Sequence, residues 1–121
     1  MKNIFTLLVL LSIGLTYAQE KPQVETFTCE KGTEQAIEDA KNKEYKLISY
    51  GLLVFEDWEF EEFYWQYMEQ QYGIKMGAGG CMVTPQGLCY AKTMKQLIVE
   101  EFGANIFERG REEAKAAYKK V

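Results

Sequence analysis

Residues Tyr45 to Cys89 read YKLISYGLLVFEDWEFEEFYWQYMEQQYGIKMGAGGCMVTPQGLC, and the fold turns on how this stretch is divided. Its first part, Tyr45 to Phe55, alternates: Ile48, Tyr50, Leu52 and Val54 share one face, and Leu47, Leu53 and Phe55 occupy the other. That pattern predicts a strand, and one apolar on both faces belongs in the middle of a sheet with helices on either side. Gly51 in its interior weakens it and permits a bulge or a close backbone approach. Asp57 then stands as N-cap of a helix from Trp58 to Tyr72, and Gly73 is placed to end it in a left-handed turn. At 100° per residue its aromatic residues sweep an arc of about 220°, wider than one sheet face needs. Phe60, Phe63, Tyr64 and Tyr67 fall at the centre of the arc and are expected in the core. Trp58, Trp65 and Tyr72, spaced seven apart, form its edge.

Ile74 to Val83 follows at once as a second strand, so strand, helix and strand make a β-α-β unit with parallel strands. Gly77, Gly79 and Gly80 make this strand weak and prone to bulge. Thr84 to Gly87, containing Pro85, reads as a turn. Beyond it the spacing predicts a helix from Leu88 to Phe102 stopped by Gly103, then a last helix from Ile106 to Lys120 capped by Asn105. On the other side, Thr33 to Lys43 reads as a short helix with Thr33 as N-cap. Residues 19 to 31 are polar, with a brief alternation at Val24, Thr26 and Thr28 that suits an edge strand or a tail. The expected fold class is α+β: a two- or three-stranded sheet containing the β-α-β unit, covered by about four helices.

The N-terminus has the pattern of a secretory signal. Lys2 and Asn3 precede an apolar run from Ile4 to Leu15, and Thr16, Tyr17 and Ala18 supply a small-x-small cleavage site. The run is about 12 residues, short of the roughly 20 that cross a bilayer. Residues 1–18 are therefore expected to be cleaved, leaving 19–121 as a single exported domain, periplasmic or extracellular, with no membrane span. Cleavage removes one Lys from the 14 basic residues and none of the 18 acidic ones, which leaves 13 against 18, or net −5. A dispersed negative charge of this kind gives no electrostatic footing for nucleic acid. The acids Glu56, Asp57, Glu59, Glu61 and Glu62 cluster as on a solvated helix face.

Histidine is absent, which excludes Ser-His-Asp and Cys-His catalysis, His-ligated zinc and an imidazole switch. The Gly77-Ala78-Gly79-Gly80-Cys81 segment lacks the Gly-Lys-Ser/Thr ending of a P-loop, and Met82 stands where a dinucleotide fingerprint needs its third glycine. No cofactor is implied. Glu59 and Glu62 lie on the polar arc, where no burial tunes them for acid-base work, so no catalytic residue is assigned. Three cysteines in an exported chain allow three single-bridge pairings; Cys81 and Cys89, bracketing the Pro-Gly turn, are the expected pair, with Cys29 free. Their spacing is not Cys-x-x-Cys, and three thiolates fall short of a cysteine-only metal site.

What remains is a contact surface. Trp58, Trp65 and Tyr72 supply large, rigid, amphipathic area of the kind that anchors interfaces, and the glycine-cysteine turn lies next to them. The sequence reading is an exported binding or interaction protein whose partner is an unidentified protein or small ligand. Its alternatives are a thiol-dependent redox or small-molecule enzyme, and a structural subunit that hides the aromatic edge in a homodimer.

Overall fold

A computed structural model describes residues 27–119. In chain order the elements are α1 (Cys29–Lys41), β1 (Tyr45–Ser49), α2 (Trp58–Tyr72), β2 (Ile74–Ala78), α3 (Pro85–Phe102) and α4 (Ile106–Tyr118). The two strands pair in parallel, from Tyr45 against Ile74 to Ser49 against Ala78, with α2 as their crossover. Among the described residues, four helices and a two-stranded sheet built on a β-α-β unit make a small α+β fold, as the sequence predicts. The expected signal segment and the alternation at Val24 and Thr26 lie outside the described residues.

Register and strand alternation put Tyr45, Leu47, Ile74 and Met76 on one face of the sheet and Lys46, Ile48, Lys75 and Gly77 on the other. The first face meets the core, where Tyr64 and Met68 of α2, Met94 and Ile98 of α3, and Ile106 and Ala114 of α4 are buried. Each large side chain among them contributes about 1.5–3 kcal/mol by leaving water. The opposite face carries exposed Lys46 and Lys75. Helices on both faces were expected because Tyr45 to Phe55 looked apolar on both sides. The strand stops at Ser49, and Leu52 and Val54, which supplied half of that pattern, leave the sheet for solvent. Gly51 turns the chain there with φ +101°, a conformation L side chains rarely adopt.

β2 likewise ends at Ala78 rather than Val83, and Gly80 takes φ +83°. A side chain at Gly79 would run into the Tyr50 ring, its Cβ falling 2.4 Å from Tyr50 Cε1, so the glycine there serves a close approach. The Thr84-Pro85-Gln86-Gly87 segment is the first turn of α3 and not a separate turn. Thr84 Oγ1 accepts from Gly87 N–H at 3.0 Å and Pro85 takes the N1 position, where its missing N–H costs nothing. α1 also starts early, on Thr28, whose hydroxyl accepts from Lys31 N–H at 3.3 Å; Thr33 lies inside the helix. The caps of α2 are those expected: Asp57 Oδ1 accepts from Phe60 N–H at 3.1 Å, and Gly73 closes the helix at φ +70°. Asn105 precedes α4 without a side-chain cap bond.

α1 and α3 start side by side. A Cβ on Gly32 would lie 2.1 Å from the Gln86 carbonyl oxygen, so only glycine lets the two backbones meet. Within α2 the inward stripe is Glu61, Tyr64 and Met68, while Phe60, Phe63 and Tyr67 are half-buried at its flank. The packed stripe is thus rotated from the centre of the aromatic arc, because α4 covers α2 on one side and accepts Glu61 into the interface.

Candidate functional site

The edge of α2 divides in two. Trp58 and Trp65 meet each other edge-to-face at 6.4 Å between ring centres, and Phe55, from the loop before α2, packs on Trp58 at 4.9 Å and on Trp65 at 6.1 Å. This trio keeps Trp58 45% exposed, with Trp65 and Phe55 half-buried. Tyr72 is not part of it. Two turns further along, its hydroxyl donates to the Glu113 carboxylate at 2.8 Å, its ring packs edge-on against Phe102, and the Arg109 guanidinium stacks 5.9 Å away. Strand alternation makes Phe55 the last residue of the expected strand, which hides its place in the aromatic cluster; the i, i+3 spacing to Trp58 is the signal for it.

Beside the trio, the loops that leave the two strands travel together. Gly79 N–H donates to the Ser49 carbonyl at 2.8 Å, and Gly51 N–H donates to the Gly80 carbonyl at 2.9 Å. These bonds extend the parallel ladder by its last rungs and tie the two loops together where they begin, at Gly51 and Gly80. What the loops carry is apolar and wet: Leu52 is 86% exposed, Val54 81% and Met82 87%. Val83 and Leu88 are exposed as well. Glu56, Asp57 and Glu59 stand exposed next to the trio, so the surface is apolar with an acidic border. It lies beyond the carboxyl ends of parallel strands, which is where open α/β sheets place their ligands.

The cysteine pairing differs from the expected one. Cys89 is bonded to Cys29, with 5.2 Å between their Cα atoms, and Cys81 is the free thiol, exposed on the second loop. The expected Cys81–Cys89 bridge required a turn between them; helix α3 begins at Pro85 instead and carries Cys89 onto α1, whose early start brings Cys29 alongside. A dithiol at the glycine-cysteine turn therefore does not form.

Polar pairing is concentrated between helices. Glu61, 7% exposed, accepts from Arg111 Nη1 at 2.6 Å and Nη2 at 3.1 Å, and the guanidinium lies 4.4 Å from the Tyr64 ring centre. Glu61 was expected on a solvated face with Glu59 and Glu62; those two are exposed, and Glu61 alone turns inward. Burial pushes the Tyr64 phenol up, with Arg111 opposing. Tyr67 donates to Glu113 Oε2 at 2.9 Å, and this bond chiefly raises its phenol. Tyr90 donates to Asp39 Oδ2 at 2.5 Å, and burial followed by that bond raises Tyr90 furthest. These bonds tie the helices to one another. Among the described residues no cluster of three or more Cys, Asp or Glu side chains is arranged to hold a metal ion, and no helix is long and apolar enough to cross a membrane. Comparison with known proteins gave no matching family model, no similar curated protein and no similar solved structure.

Proposed function

We propose that this chain is an exported, non-enzymatic interaction protein that binds a polypeptide partner carrying apolar anchors beside basic residues. The observation that carries the reading is the pair of loops tethered where they leave the strands: they expose Leu52, Val54 and Met82, and the first of them runs into Phe55 of the aromatic trio. Large apolar residues exposed on neighbouring loops are a common feature of interaction sites, and aromatic residues are their usual anchors. The border of Glu56, Asp57 and Glu59 selects by charge, since basic flanks on a partner would be steered toward it. Export is supported by the signal-like N-terminus and by the Cys29–Cys89 bridge, a bond that persists in oxidising compartments.

Selection of displayed random peptides on the folded protein tests the reading. Enriched sequences are expected to combine aromatic or aliphatic residues with Lys or Arg, and to lose binding to a Phe55→Ala, Trp58→Ala variant. Enrichment indifferent to that variant, or of acidic sequences, would overturn it. Concentration-dependent sedimentation of the free protein would instead identify the partner as a second copy of the chain.

A further inference from the structure

A concavity lies on the covered face of the sheet. Leu47 and Met76 are register partners on the covered face of the sheet, yet both are only half-buried. They floor a groove of about 290 Å³, with Tyr64 of α2 and Phe107 of α4 as walls and Lys95, Glu108 and Arg111 at the rim. A parallel sheet normally has its packed face closed by helices, so apolar residues left open between α2, α3 and α4 are an unfilled position in the layer. An apolar concavity with a few convergent polar groups is the usual form of a small-molecule site.

The polar groups define what would fit. Arg111 is fixed twice, by its two bonds to Glu61 and by stacking on Tyr64, so its guanidinium is held at the rim without any ligand. A guanidinium has five N–H donors, and the fork with Glu61 leaves the others for solvent or a ligand oxygen. Lys95, on α3, makes no ion pair among the described residues, and its ammonium lies 6.0 Å from the centre of the Phe107 ring in the groove wall. Glu61 neutralises Arg111, and Lys95 shares the groove with a single exposed carboxylate, Glu108. An apolar body on Leu47, Met76 and Phe107, with a carboxylate between Lys95 and Arg111, would complete both requirements.

We propose that the groove binds a small carboxylate with an apolar body. The test is a sub-micellar titration of the folded protein with octanoate, octan-1-ol and octylammonium, followed by backbone and methyl NMR. Octanoate is expected to give saturable shifts at Leu47, Met76 and Phe107 and to bind about tenfold tighter than the alcohol, the size of effect one charge-assisted contact gives. Lys95→Gln should weaken octanoate several-fold, whereas Glu108→Gln should tighten it by removing the competing acid. Both sites are exposed, so both variants should fold, and opposite signs from them are not produced by a loss of structure. Equal affinity for the three probes, shifts centred on Leu52, Val54 and Met82 instead, or indifference to both substitutions would each overturn the proposal.

Discussion

A carboxylate as enclosed as that of Glu61 is held in place by its partner, and the cost of losing that partner is the cost of a stranded charge. Arg111→Met should therefore destabilise the fold by about 2–3 kcal/mol, below the 3–5 kcal/mol of a fully enclosed pair because Arg111 keeps 37% of its side chain in water. Urea unfolding measures it, and adding Glu61→Leu should return most of the loss. The tyrosines give a second residue-scale prediction. Tyr64, Tyr67 and Tyr90 are all raised above the ordinary value of 10.0, so folding favours their neutral form. Their contribution is fully present below about pH 10, where the unfolded phenols are also neutral, and is lost as pH climbs from there through the folded values. Alkaline titration of phenolate absorbance should accordingly show several tyrosines ionising late, together with unfolding, and Tyr90→Phe should remove the latest of them. None of this pairing could be read from the chain. Glu61 and Arg111 are separated by 50 positions, and Asp39 and Tyr90 by 51, so no local spacing connects them.

At the level of elements, what local chemistry decides was legible and what long-range contact decides was not. Asp57 and Gly73 fix the ends of α2 within a few residues of the chain, so that helix was readable to its termini. Thr84-Pro85 carried an equally local start signal for α3, but proline also suits a turn, and the turn reading misdirected the cysteine assignment. The strand ends depend on Gly51 meeting Gly80 across the sheet, and apolar alternation in Leu52 and Val54 looks the same in a strand as in an exposed loop. The bridge is where the difference has most consequence. Cys29 and Cys89 are 60 residues apart, and chain-entropy arithmetic for a loop of that length gives about 4 kcal/mol. Cys29→Ser or Cys89→Ser should lower the thermal midpoint by the corresponding amount, while Cys81→Ser should leave it nearly unchanged; peptide mapping without reduction should recover a Cys29–Cys89 crosslink. Gly32→Ala probes the same contact by sterics. With a backbone oxygen in the way, α1 and α3 must move apart, at a cost of about 1–3 kcal/mol.

Across the whole described fold, the core and the loops proposed to bind a polypeptide are spatially separate. The core gathers one face of the sheet and the inner stripes of all four helices, and the disulfide ties the starts of α1 and α3 together. The strands hand their carboxyl ends to loops whose apolar side chains contribute little to that core. Residues so exposed have almost no burial to lose, so polar replacement should leave stability within about 0.5 kcal/mol. A Leu52→Ser, Met82→Ser variant is therefore expected to unfold at the same denaturant concentration as the parent, yet to lose the peptides selected through the aromatic trio. Trp58 supplies an internal check on the same surface. In a Trp65→Phe background its fluorescence should be strongly quenched by acrylamide, whereas Trp65 in a Trp58→Phe background should be quenched less, since it is the more covered of the two. If peptide binding then protects Trp58, the loops and the trio act as one site. A stability loss in the serine variant would mean instead that these loops pack against structure, and the surface would no longer be free to bind.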